Sequence, residues 1–519
     1  MDLSQWITQH ARCTPGKPAL HFEGRDIGYA ALATRIDEIA CALTARGIRQ
    51  GQVVAWLGMN SPAMLATLLA CARLGAIFMP LNWRLAPPEH QALLHDDPPA
   101  LLFVDAPFVL ASAAAQIAQA TTACVALGAA APIGWDDGAD FARPLGAPLP
   151  AAQGNAAAPI LLCYTSGSTG RAKGVLLTQQ ALMCNAANSV DMHGLTQDDR
   201  VLTTLPLFHV GGLNIQTLPA LQAGCTVTLH AKFDADATFD AIERQRITLT
   251  VLVPAQLDAM LAHPRWAGAD FSSLRMISTG STQVPMRIIQ AVHARGLPLI
   301  QVWGATETAP IAACLHADEA LRKSGSTGRA ARHGELRIVD VDGRDLPPGK
   351  PGEVLARGGN LMSGYWRDPQ ASARALADGW FHSGDLGHLD DEGFLYIDGR
   401  IKDMIISGGE NVSPAEVEAV LLEHPQVAEA AVVGRADERW GEVIVAVVAL
   451  QPGSTLTREQ LLGMCEGRIA RFKHPKDVLF VDAMPRTALG KVRKEDVRRL
   501  VADALAPAGA NPTSQERMA

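Results

Sequence analysis

Several signals that would place a protein in a special class are missing from this sequence. Residues 1–21 contain no basic segment followed by an apolar run, so we expect no secretory signal peptide. No uninterrupted apolar stretch reaches the roughly 18 residues that a membrane-spanning helix needs. The nine cysteines are scattered, and none forms a CxxC pair. This pattern favours free thiols in a reducing cytoplasm over disulfides or a zinc site.

The charge balance excludes a further class. The 519 residues carry a net charge of −8, and the pI is near 6.0. Nucleic-acid-binding proteins usually show a basic footprint, so we expect no nucleic-acid partner. A hydrophobic content of 48% and a charged content of 19% fit a globular chain rather than a disordered one. At roughly 100–200 residues per domain, the length predicts two to four modules.

Hydrophobic periodicity in the first part of the chain predicts alternating strands and helices. Residues 29–46 have the apolar spacing of an amphipathic helix, and residues 53–57 are typical of a buried strand. A further helix is expected to begin at Ser61-Pro62, and a strand at residues 76–80. This alternation favours parallel βα units. The Ala-, Gly- and Pro-rich residues 111–159 are interpreted as surface helix and loop.

The second part of the chain shows two other patterns. Short strands with Gly/Pro turns between residues 324 and 364 predict a small antiparallel β unit. After Arg400 the sequence predicts a compact α+β module, with helices at 414–423 and 457–469 and strands at 427–433 and 443–450. The predicted fold class is therefore α/β: a large N-terminal domain of βα sheets plus a small β unit, and a smaller α+β C-terminal domain. Residues 507–519 are expected to be a disordered tail.

A glycine-rich loop carries the first chemical signal. Residues 161–175 read LLCYTSGSTGRAKGV, an apolar strand that enters a loop of serine, threonine and glycine and ends at a lysine. Glycines let backbone N–H groups approach phosphate oxygens, hydroxyls add donors, and Lys173 adds positive charge. The Walker A pattern GxxxxGK[ST] is absent. On chemistry alone, a flexible polar surface loop is the alternative.

The segment YTSGSTGRAKG is similar to the signature of the adenylate-forming superfamily, which includes acyl-CoA synthetases, luciferases and peptide-synthetase adenylation domains. The resemblance to bacterial acyl-CoA and aromatic-acid–CoA ligases extends from about residue 5 to 500. It implies that the loop holds the β- and γ-phosphates of ATP. The residues implied are Thr165, Ser166, Gly167, Ser168, Thr169, Gly170 and Lys173, with Thr169 also a magnesium ligand.

Two further segments match the family in order. Residues 301–310 read QVWGATETAP, and the resemblance implies that Trp303 and Gly304 meet adenine, Thr306 contacts the α-phosphate and Glu307 binds Mg²⁺. Most relatives have tyrosine where this chain has Trp303; stacking on a purine survives that change. Residues 279–285 read TGSTQVP and depart from the family pattern. Gly280 and Ser281 are still expected to line the site.

The motifs near the domain boundary complete the set implied by the resemblance. Residues 380–387 read WFHSGDLG, and residues 396–414 read YIDGRIKDMIISGGENVSP. Asp385 and Arg400 are expected to bind the ribose hydroxyls, with Ile397 nearby. Lys402 is expected at the hinge, and Gly408 and Gly409 in a loop facing the pantetheine tunnel. The expected domains are 1–399, a hinge at 400–402, and a mobile C-terminal domain at 403–506.

The last motif, PRTALGKVRK at residues 485–494, places Lys491 as the family's C-terminal catalytic lysine. The implied function is an ATP-dependent acid–CoA ligase that forms an acyl-adenylate and then a thioester. Lys491, His209, Thr306 and Glu307 are its expected catalytic residues. CoA is the expected acceptor because the chain ends soon after Lys491, leaving no room for a carrier-protein module. Trp440 and the basic run at 471–473 are expected at the CoA nucleotide; a buried structural Trp440 is the alternative.

The acid is only partly defined by the sequence. The segment LPLFHVGGLN, residues 205–214, places His209 as a gate at the carboxylate. It contains no aspartate that would hold an amino acid's ammonium, and the acyl segments contain no arginine for a second carboxylate. An apolar fatty or aromatic acid therefore fits best. The alternatives are a carrier-loading adenylation enzyme, a luciferase-like oxygenase and a non-catalytic nucleotide-binding protein. A homodimer stays open.

Overall fold

The computed structural model describes residues 2–96, 98–114, 117, 122–141, 149–165, 172–281, 284–407, 410–437, 440–466, 468–487 and 490–505. The predicted disordered tail, the loop residues 166–171 and Gly408–Gly409 lie outside these ranges. The chain divides into two units. The first unit comprises Met1–Ser383 and Leu389–Tyr396, and the second comprises Gly384–His388 and Ile397–Ala519. The predicted limits of the domains and hinge stay predictions.

The first unit begins with an alternation of helices and strands. Its elements up to residue 141 are α1 (Ser4–Cys13), β1 (Pro18–Phe22), β2 (Arg25–Gly28), α2 (Tyr29–Ala45), β3 (Val53–Leu57), α3 (Pro62–Leu74), β4 (Ile77–Leu81), α4 (Pro87–Asp96), β5 (Leu101–Asp105), α5 (Ala106–Ala114), β6 (Ala123–Leu127), β7 (Asp136–Asp137) and α6 (Gly138–Phe141). The predicted start of α3 is confirmed, because the Ser61 side chain accepts a hydrogen bond from the Met64 amide at 3.2 Å.

The middle of the first unit continues the alternation. Its elements are β8 (Pro159–Thr165), β9 (Lys173–Thr178), α7 (Gln179–His193), β10 (Arg200–Thr203), α8 (Val210–Gly212), a π-helical turn (Leu213–Thr217), α9 (Leu218–Ala223), β11 (Thr226–Leu229), α10 (Ala235–Arg244), β12 (Leu249–Val251), α11 (Pro254–Ala262), β13 (Met276–Thr279), α12 (Met286–His293) and β14 (Leu299–Trp303).

The chain then becomes richer in short strands. The next elements are a 3₁₀ turn (Thr306–Thr308), β15 (Ala313–Cys314), β16 (Arg329–Ala330), β17 (Gly334–Val339), β18 (Gly352–Gly358), β19 (Gly364–Tyr365), α13 (Pro369–Ala375), a 3₁₀ turn (Ala377–Gly379), β20 (Phe381–Leu389) and β21 (Leu395–Arg400). Strands β17 and β18 pair antiparallel, which confirms the predicted small β unit. β20 and β21 carry the chain between the two units.

Two large sheets organise the first unit. One has the strand order β16-β15-β14-β13-β12-β10-β11-β1-β2, and its central strands β10 to β14 are parallel. The other has the order β19-β9-β8-β4-β3-β5-β6-β7, with β3, β4, β5 and β6 parallel. Helices α2 and α3 contribute to the main core, in which Tyr29, Phe78 and Phe103 are fully buried. The parallel βα prediction is confirmed.

One expectation about this unit is wrong. Residues 111–159 contain a strand, β6, which pairs in parallel with β5 and buries Cys124, Val125 and Ala126. The segment ACVAL is short and small-sided, so its strand character is weak against the surrounding alanine-rich sequence. Its stability comes from packing beside β5.

The second unit is a smaller α+β fold. Its elements after β21 are a 3₁₀ turn (Ile401–Asp403), β22 (Ile405–Ser407), β23 (Glu410–Val412), α14 (Pro414–Leu422), β24 (Val427–Asp437), β25 (Gly441–Leu450), α15 (Arg458–Gly463), a 3₁₀ turn (Arg471–Lys473), β26 (Asp477–Val481) and α16 (Lys494–Ala504). The helix expected at 457–469 is shorter, because α15 ends at Gly463. No described helix combines the length and apolar character needed to cross a bilayer.

Candidate functional site

The two ends of the glycine-rich loop lie side by side. Strands β8 and β9 pair antiparallel and bring Thr165 opposite Lys173, and the Thr165 hydroxyl donates to the Lys173 carbonyl at 3.4 Å. The loop residues Ser166, Gly167, Ser168, Thr169 and Gly170 lie outside the described residues. Their roles, including that of Thr169 at the metal, stay predictions. The strand pair nevertheless fixes where the loop begins and ends.

The segment after β14 turns sharply. A Cβ on Gly304 would overlap the carbonyl oxygen of Pro310, so only glycine fits at that position. The chain then forms the 3₁₀ turn that holds Thr306 and Glu307, and the next residue, Ala309, has φ 65°. Trp303 and Thr306 are each 7% exposed. This turn therefore presents Glu307 from a tightly folded backbone.

Glu307 has a partner that the motif did not indicate. The Tyr365 hydroxyl, in β19, donates a hydrogen bond to Glu307 Oε1 at 2.8 Å. Burial, and then the Glu307 charge, raise the pKa of Tyr365, so the hydroxyl keeps its proton. Lys173 Nζ lies 4.8 Å from the centroid of the same ring. The structure thus brings two predicted site residues to one tyrosine, Glu307 at its hydroxyl and Lys173 near its ring.

Two buried asparagine side chains form hydrogen bonds with the backbone in and after the same turn. Asn360 Nδ2 donates to the carbonyls of Thr308 at 2.6 Å and Ile311 at 2.9 Å. Asn185 Oδ1 accepts from the Ile311 amide at 2.9 Å. Both asparagines are almost fully buried. No local sequence pattern marks these side chains, because the residues of the turn that they contact lie at least 49 residues away.

The segments predicted to bind the acyl group also lie next to each other. His209 caps α8, and its Nδ1 accepts from the Gly211 amide at 3.2 Å, so the remaining ring proton is on Nε2. A Cβ at Gly211 would lie 3.3 Å from His209 Nδ1 and 4.0 Å from Ser281 Oγ. Ser281 has φ 73°, an uncommon backbone for a non-glycine residue. A Cβ on Gly280 would lie 2.7 Å from the Val302 carbonyl oxygen, so the backbones of these two segments are closely packed.

The second unit holds the remaining charged candidates. Arg400 Nε lies 2.5 Å from Asp385 Oδ1. Lys491 follows Gly490 in a turn in which the Thr487 amide donates to the Lys491 carbonyl at 2.8 Å. Burial lowers the pKa of Lys491, the Arg400 charge lowers it further, and the Asp385 charge opposes both. Three predicted site residues therefore lie within electrostatic reach of one another in this unit.

The other predicted residues of the second unit differ in their exposure. Lys402 is exposed in its 3₁₀ turn, and Ile397 is half-buried in β21. Trp440 is 40% exposed, with Lys476 Nζ 5.2 Å from its ring centroid, so it is not the buried structural tryptophan of the alternative. Lys473, in the basic run, is held by Glu416 at 2.6 Å. Gly408 and Gly409 lie outside the described residues.

Comparison with known proteins decides the family. A model of the AMP-binding enzyme family matches residues 7–366, and a model of the AMP-binding enzyme C-terminal domain matches residues 416–491. The chain belongs to the AMP-binding enzyme family. The predicted resemblance is confirmed.

Similar proteins agree with this family assignment. The chain is 60% identical to indoleacetate–CoA ligase of Aromatoleum aromaticum over 97% of its own length and 98% of that protein. It is 41% identical to feruloyl-CoA synthase of Amycolatopsis sp. over 96% of its length and 98% of that protein. Its fold matches o-succinylbenzoate CoA synthetase of Bacillus subtilis, solved with an acyl-adenylate intermediate, with a TM-score of 0.85 at 32% identity, covering 95% and 97% of the two chains.

This AMP-binding enzyme is an AMP-forming acid–CoA ligase that works through an acyl-adenylate. It uses ATP, Mg²⁺ and coenzyme A, as predicted from the sequence. Its fold class is also confirmed.

Proposed function

We propose that the acid activated by this ligase is an aromatic acetate of the indoleacetate type. The observation that carries the proposal is the 60% identity to indoleacetate–CoA ligase along almost the whole of both chains. Side chains near the predicted acyl segment support it, because Leu205, Ile215 and Val251 form a buried apolar cluster. A flat, uncharged ring system suits such surroundings.

Adenylation requires two anions to meet. The acid's carboxylate attacks the α-phosphorus of ATP, a P–O bond to the acid forms, and pyrophosphate leaves with the electron pair of the broken bond. Lys173, Thr306 and Lys491 are proposed to neutralise and align the phosphates. His209 is proposed to orient the carboxylate through its Nε2–H. No covalent enzyme intermediate is needed.

Glu307 suits the proposed magnesium role. Its Oε1 is engaged by Tyr365 at 2.8 Å, which leaves Oε2 as a hard oxygen ligand. Within the described ranges, no group of three or more His, Cys, Asp or Glu side chains could hold a metal by itself. Magnesium commonly binds through one or two carboxylates together with substrate phosphates. One carboxylate that shares Tyr365 with Lys173 fits that pattern, and Mg²⁺ would there neutralise phosphate charge.

The second half-reaction transfers the acyl group to sulfur. The CoA thiol attacks the acyl carbonyl, the C–S bond forms, and AMP leaves. Asp385 and Arg400 are proposed to hold the ribose of the adenylate, and Trp440 to meet the CoA nucleotide. The exposed indole of Trp440 with Lys476 beside it supports that role, because a base and its phosphates would find stacking and positive charge together.

We also propose that the enzyme works in the cytoplasm. All nine cysteines are free, and Cys71, Cys163, Cys225 and Cys314 are buried, which suits the reducing cytoplasm. A homodimer is the oligomeric state to test by light scattering.

The test of this function is a pyrophosphate-release screen with and without CoA. The acids are indole-3-acetate, phenylacetate, benzoate, ferulate and decanoate. We expect indole-3-acetate to give the highest kcat/KM and to yield indoleacetyl-CoA by mass spectrometry. A higher kcat/KM for decanoate or benzoate than for indole-3-acetate would reject an aromatic acetate as the substrate. A phosphopantetheinyl carrier protein, supplied in place of CoA, should accept the acyl group far more slowly.

A further inference from the structure

The helix that begins after His209 has an irregular backbone. Helix α8, the π-helical turn and α9 follow one another without a break. In the π-helical turn the Leu218 amide donates to the Leu213 carbonyl, five residues back. The carbonyl of Asn214 would ordinarily pair with the N–H of residue 218 or 219. Leu218 is engaged with Leu213, and Pro219 has no N–H, so this carbonyl needs a donor from elsewhere.

The side chain of Asn185, in α7, supplies that donor. Its Nδ2 donates to the Asn214 carbonyl at 2.7 Å, and its Oδ1 accepts from the Ile311 amide at 2.9 Å. A carbonyl can only accept and a backbone N–H can only donate, so the two partners fix the orientation of the side-chain amide. Asn185 is 1% exposed. One buried amide therefore joins the helix after His209 to the backbone that follows Glu307.

Neighbouring side chains each contact one of these two segments. Ser189, one helical turn after Asn185, donates to the Ile215 carbonyl in the π-helical turn at 2.5 Å. Asn360 donates to the Thr308 carbonyl in the turn that carries Glu307. Ser189 thus supports the helix and Asn360 supports the turn, whereas Asn185 forms hydrogen bonds with both.

The two segments carry the groups that are proposed to hold the two reactants. His209 caps the helix and is proposed to orient the carboxylate of the acid. Thr306 and Glu307 are proposed to contact the α-phosphate and Mg²⁺. In adenylation the carboxylate and the α-phosphorus belong to separate molecules, so their alignment depends on the protein. A misplacement of about 1 Å can lower such a rate about 100-fold.

We propose that Asn185 is a positioning residue that sets the carboxylate-binding segment against the phosphate-binding turn during adenylation. The inference rests on the roles proposed for His209 and Glu307 and holds for any acid. In the second half-reaction the acyl group and AMP are joined in one molecule, so the covalent bond itself aligns them. Loss of the Asn185 link should therefore affect adenylation far more than transfer to CoA.

The test variant is Asn185→Leu, which nearly keeps the side-chain volume and removes both hydrogen bonds. The substrate is whichever acid of the screen has the highest kcat/KM, so a different preferred acid would correct the proposed substrate and leave this test intact. We expect kcat for pyrophosphate release to fall about 10- to 100-fold. The KM values for ATP and the acid should stay within about threefold, because each reactant keeps its own contacts.

The second half-reaction is measured on the same preparation, from supplied acyl-adenylate and CoA. Its rate should stay within about threefold of that of the unmodified enzyme, since the acyl group and AMP arrive already linked. Equal losses in the two half-reactions would overturn the inference. A raised KM with an unchanged kcat for pyrophosphate release would also overturn it.

A second variant, Asn185→Ser, keeps the test decisive if unpaired backbone groups prevent Asn185→Leu from folding. The shorter side chain leaves room for a water molecule that can pair with both backbone groups. The fold should then be kept while the direct link is lost. We expect a selective fall of about fivefold in pyrophosphate release. An unchanged rate of release, or an equal fall in both half-reactions, would contradict the role of Asn185.

The same helix offers a matched control. Gln179, the first residue of α7, is fully buried, and its Oε1 accepts from the Leu3 amide while its Nε2 donates to the Ala72 carbonyl, both at 2.8 Å. Gln179→Met therefore removes the same two kinds of hydrogen bond away from the proposed site. It should lower Tm and leave the ratio of the two half-reaction rates unchanged. A selective loss of pyrophosphate release equal to that of Asn185→Leu would indicate general loosening of α7 and reject the positioning role.

Discussion

The predicted site residues of the two units are supported in different ways. In the first unit, Thr306 is 7% exposed and the turn that carries Glu307 is held by the nearly buried Asn185 and Asn360. In the second unit, the Arg400 side chain is 51% exposed and pairs with Asp385. Buried amides fix a backbone, whereas an ion pair with one half-exposed partner is partly screened by salt.

This difference separates two kinds of contribution to catalysis. A backbone that is held by buried hydrogen bonds presents a metal ligand in one position, which lowers the free-energy cost of organising the site. A partly buried lysine contributes charge, and the value of that charge depends on its pKa. Substitutions in the first unit should therefore alter the Mg²⁺ requirement. Substitutions in the second unit should alter one half-reaction or its pH dependence.

The largest expected effect is on Lys491. Lys491→Ala should lower the rate of pyrophosphate release by about 10²- to 10³-fold, because a cation aimed at the reacting phosphate is lost. Thioester formation from supplied acyl-adenylate and CoA should be largely preserved. Both rates are measured on the same preparation, by coupled pyrophosphate assay and by liquid chromatography. Equal loss in the two steps would reject the assignment of Lys491 to adenylation.

The next effect tests the tyrosine beside Glu307. Tyr365→Phe removes the hydroxyl that donates to Glu307 Oε1 and should raise the Mg²⁺ concentration for half-maximal activity about tenfold, since hydrogen bonds to charged groups contribute about 1.5–3 kcal/mol. The measurement is a magnesium titration of initial rates. Tyr29→Phe is the control: its hydroxyl donates to the Cys225 carbonyl at 2.7 Å in the core. That variant should lose stability and keep the magnesium requirement; an equal shift in both variants would contradict the prediction.

A third prediction concerns pH. The Lys491 ammonium is lost as pH rises through its lowered pKa, so adenylation should fall on the alkaline side. Arg400→Gln removes a positive charge that lowers this pKa and should move the fall to higher pH. The measurement is the pH profile of pyrophosphate release at saturating ATP.

Arg498→Gln provides the control for this pH shift. Arg498 pairs with Asp403 at 2.8 Å in the same unit and does not contribute to the shift of Lys491. An alkaline limb at the same pH in Arg400→Gln and the unmodified enzyme would show that Lys491 does not govern it.

The smallest effect is expected at the exposed tryptophan. Trp440→Ala should raise the KM for CoA about fivefold, the size of one stacking or cation–π contact of about 1 kcal/mol. Adenylation without CoA should not change. Phe480→Ala, a substitution of another exposed aromatic residue of this unit, is the control. If Trp440→Ala raised the KM for ATP and left the KM for CoA unchanged, the proposed contact between Trp440 and CoA would be rejected.

The sequence predicted much of the fold because its signals are local. The cap at Ser61 and the periodicity of α2 depend on neighbouring residues, and both are present in the structure. Strand β6 was missed because its five residues, ACVAL, carry a weak strand signal and pair only with β5 and β7. Helix α15 was predicted too long, since it ends at Gly463.

The site was predictable only as far as its motifs extend. Glu307 and Lys173 stand in contiguous signatures, but Tyr365 lies 58 residues after Glu307 along the chain and no spacing rule connects them. The buried Gln216 belongs to a further hydrogen-bond network that no motif marks. The direction of its amide depends on Ser278 and His193, which come from two other segments.

The buried network of Gln216, Ser278 and His193 has a consequence for substitutions there. His193 Nε2 lies 2.8 Å from Ser278 Oγ, and Gln216 Nε2 donates to the same oxygen at 3.2 Å. A substitution at His193 that replaced its acceptor by a donor would release the Ser278 proton toward Gln216 and oblige the amide to turn over. The orientation of one buried side chain is thus set by a residue with which it makes no hydrogen bond.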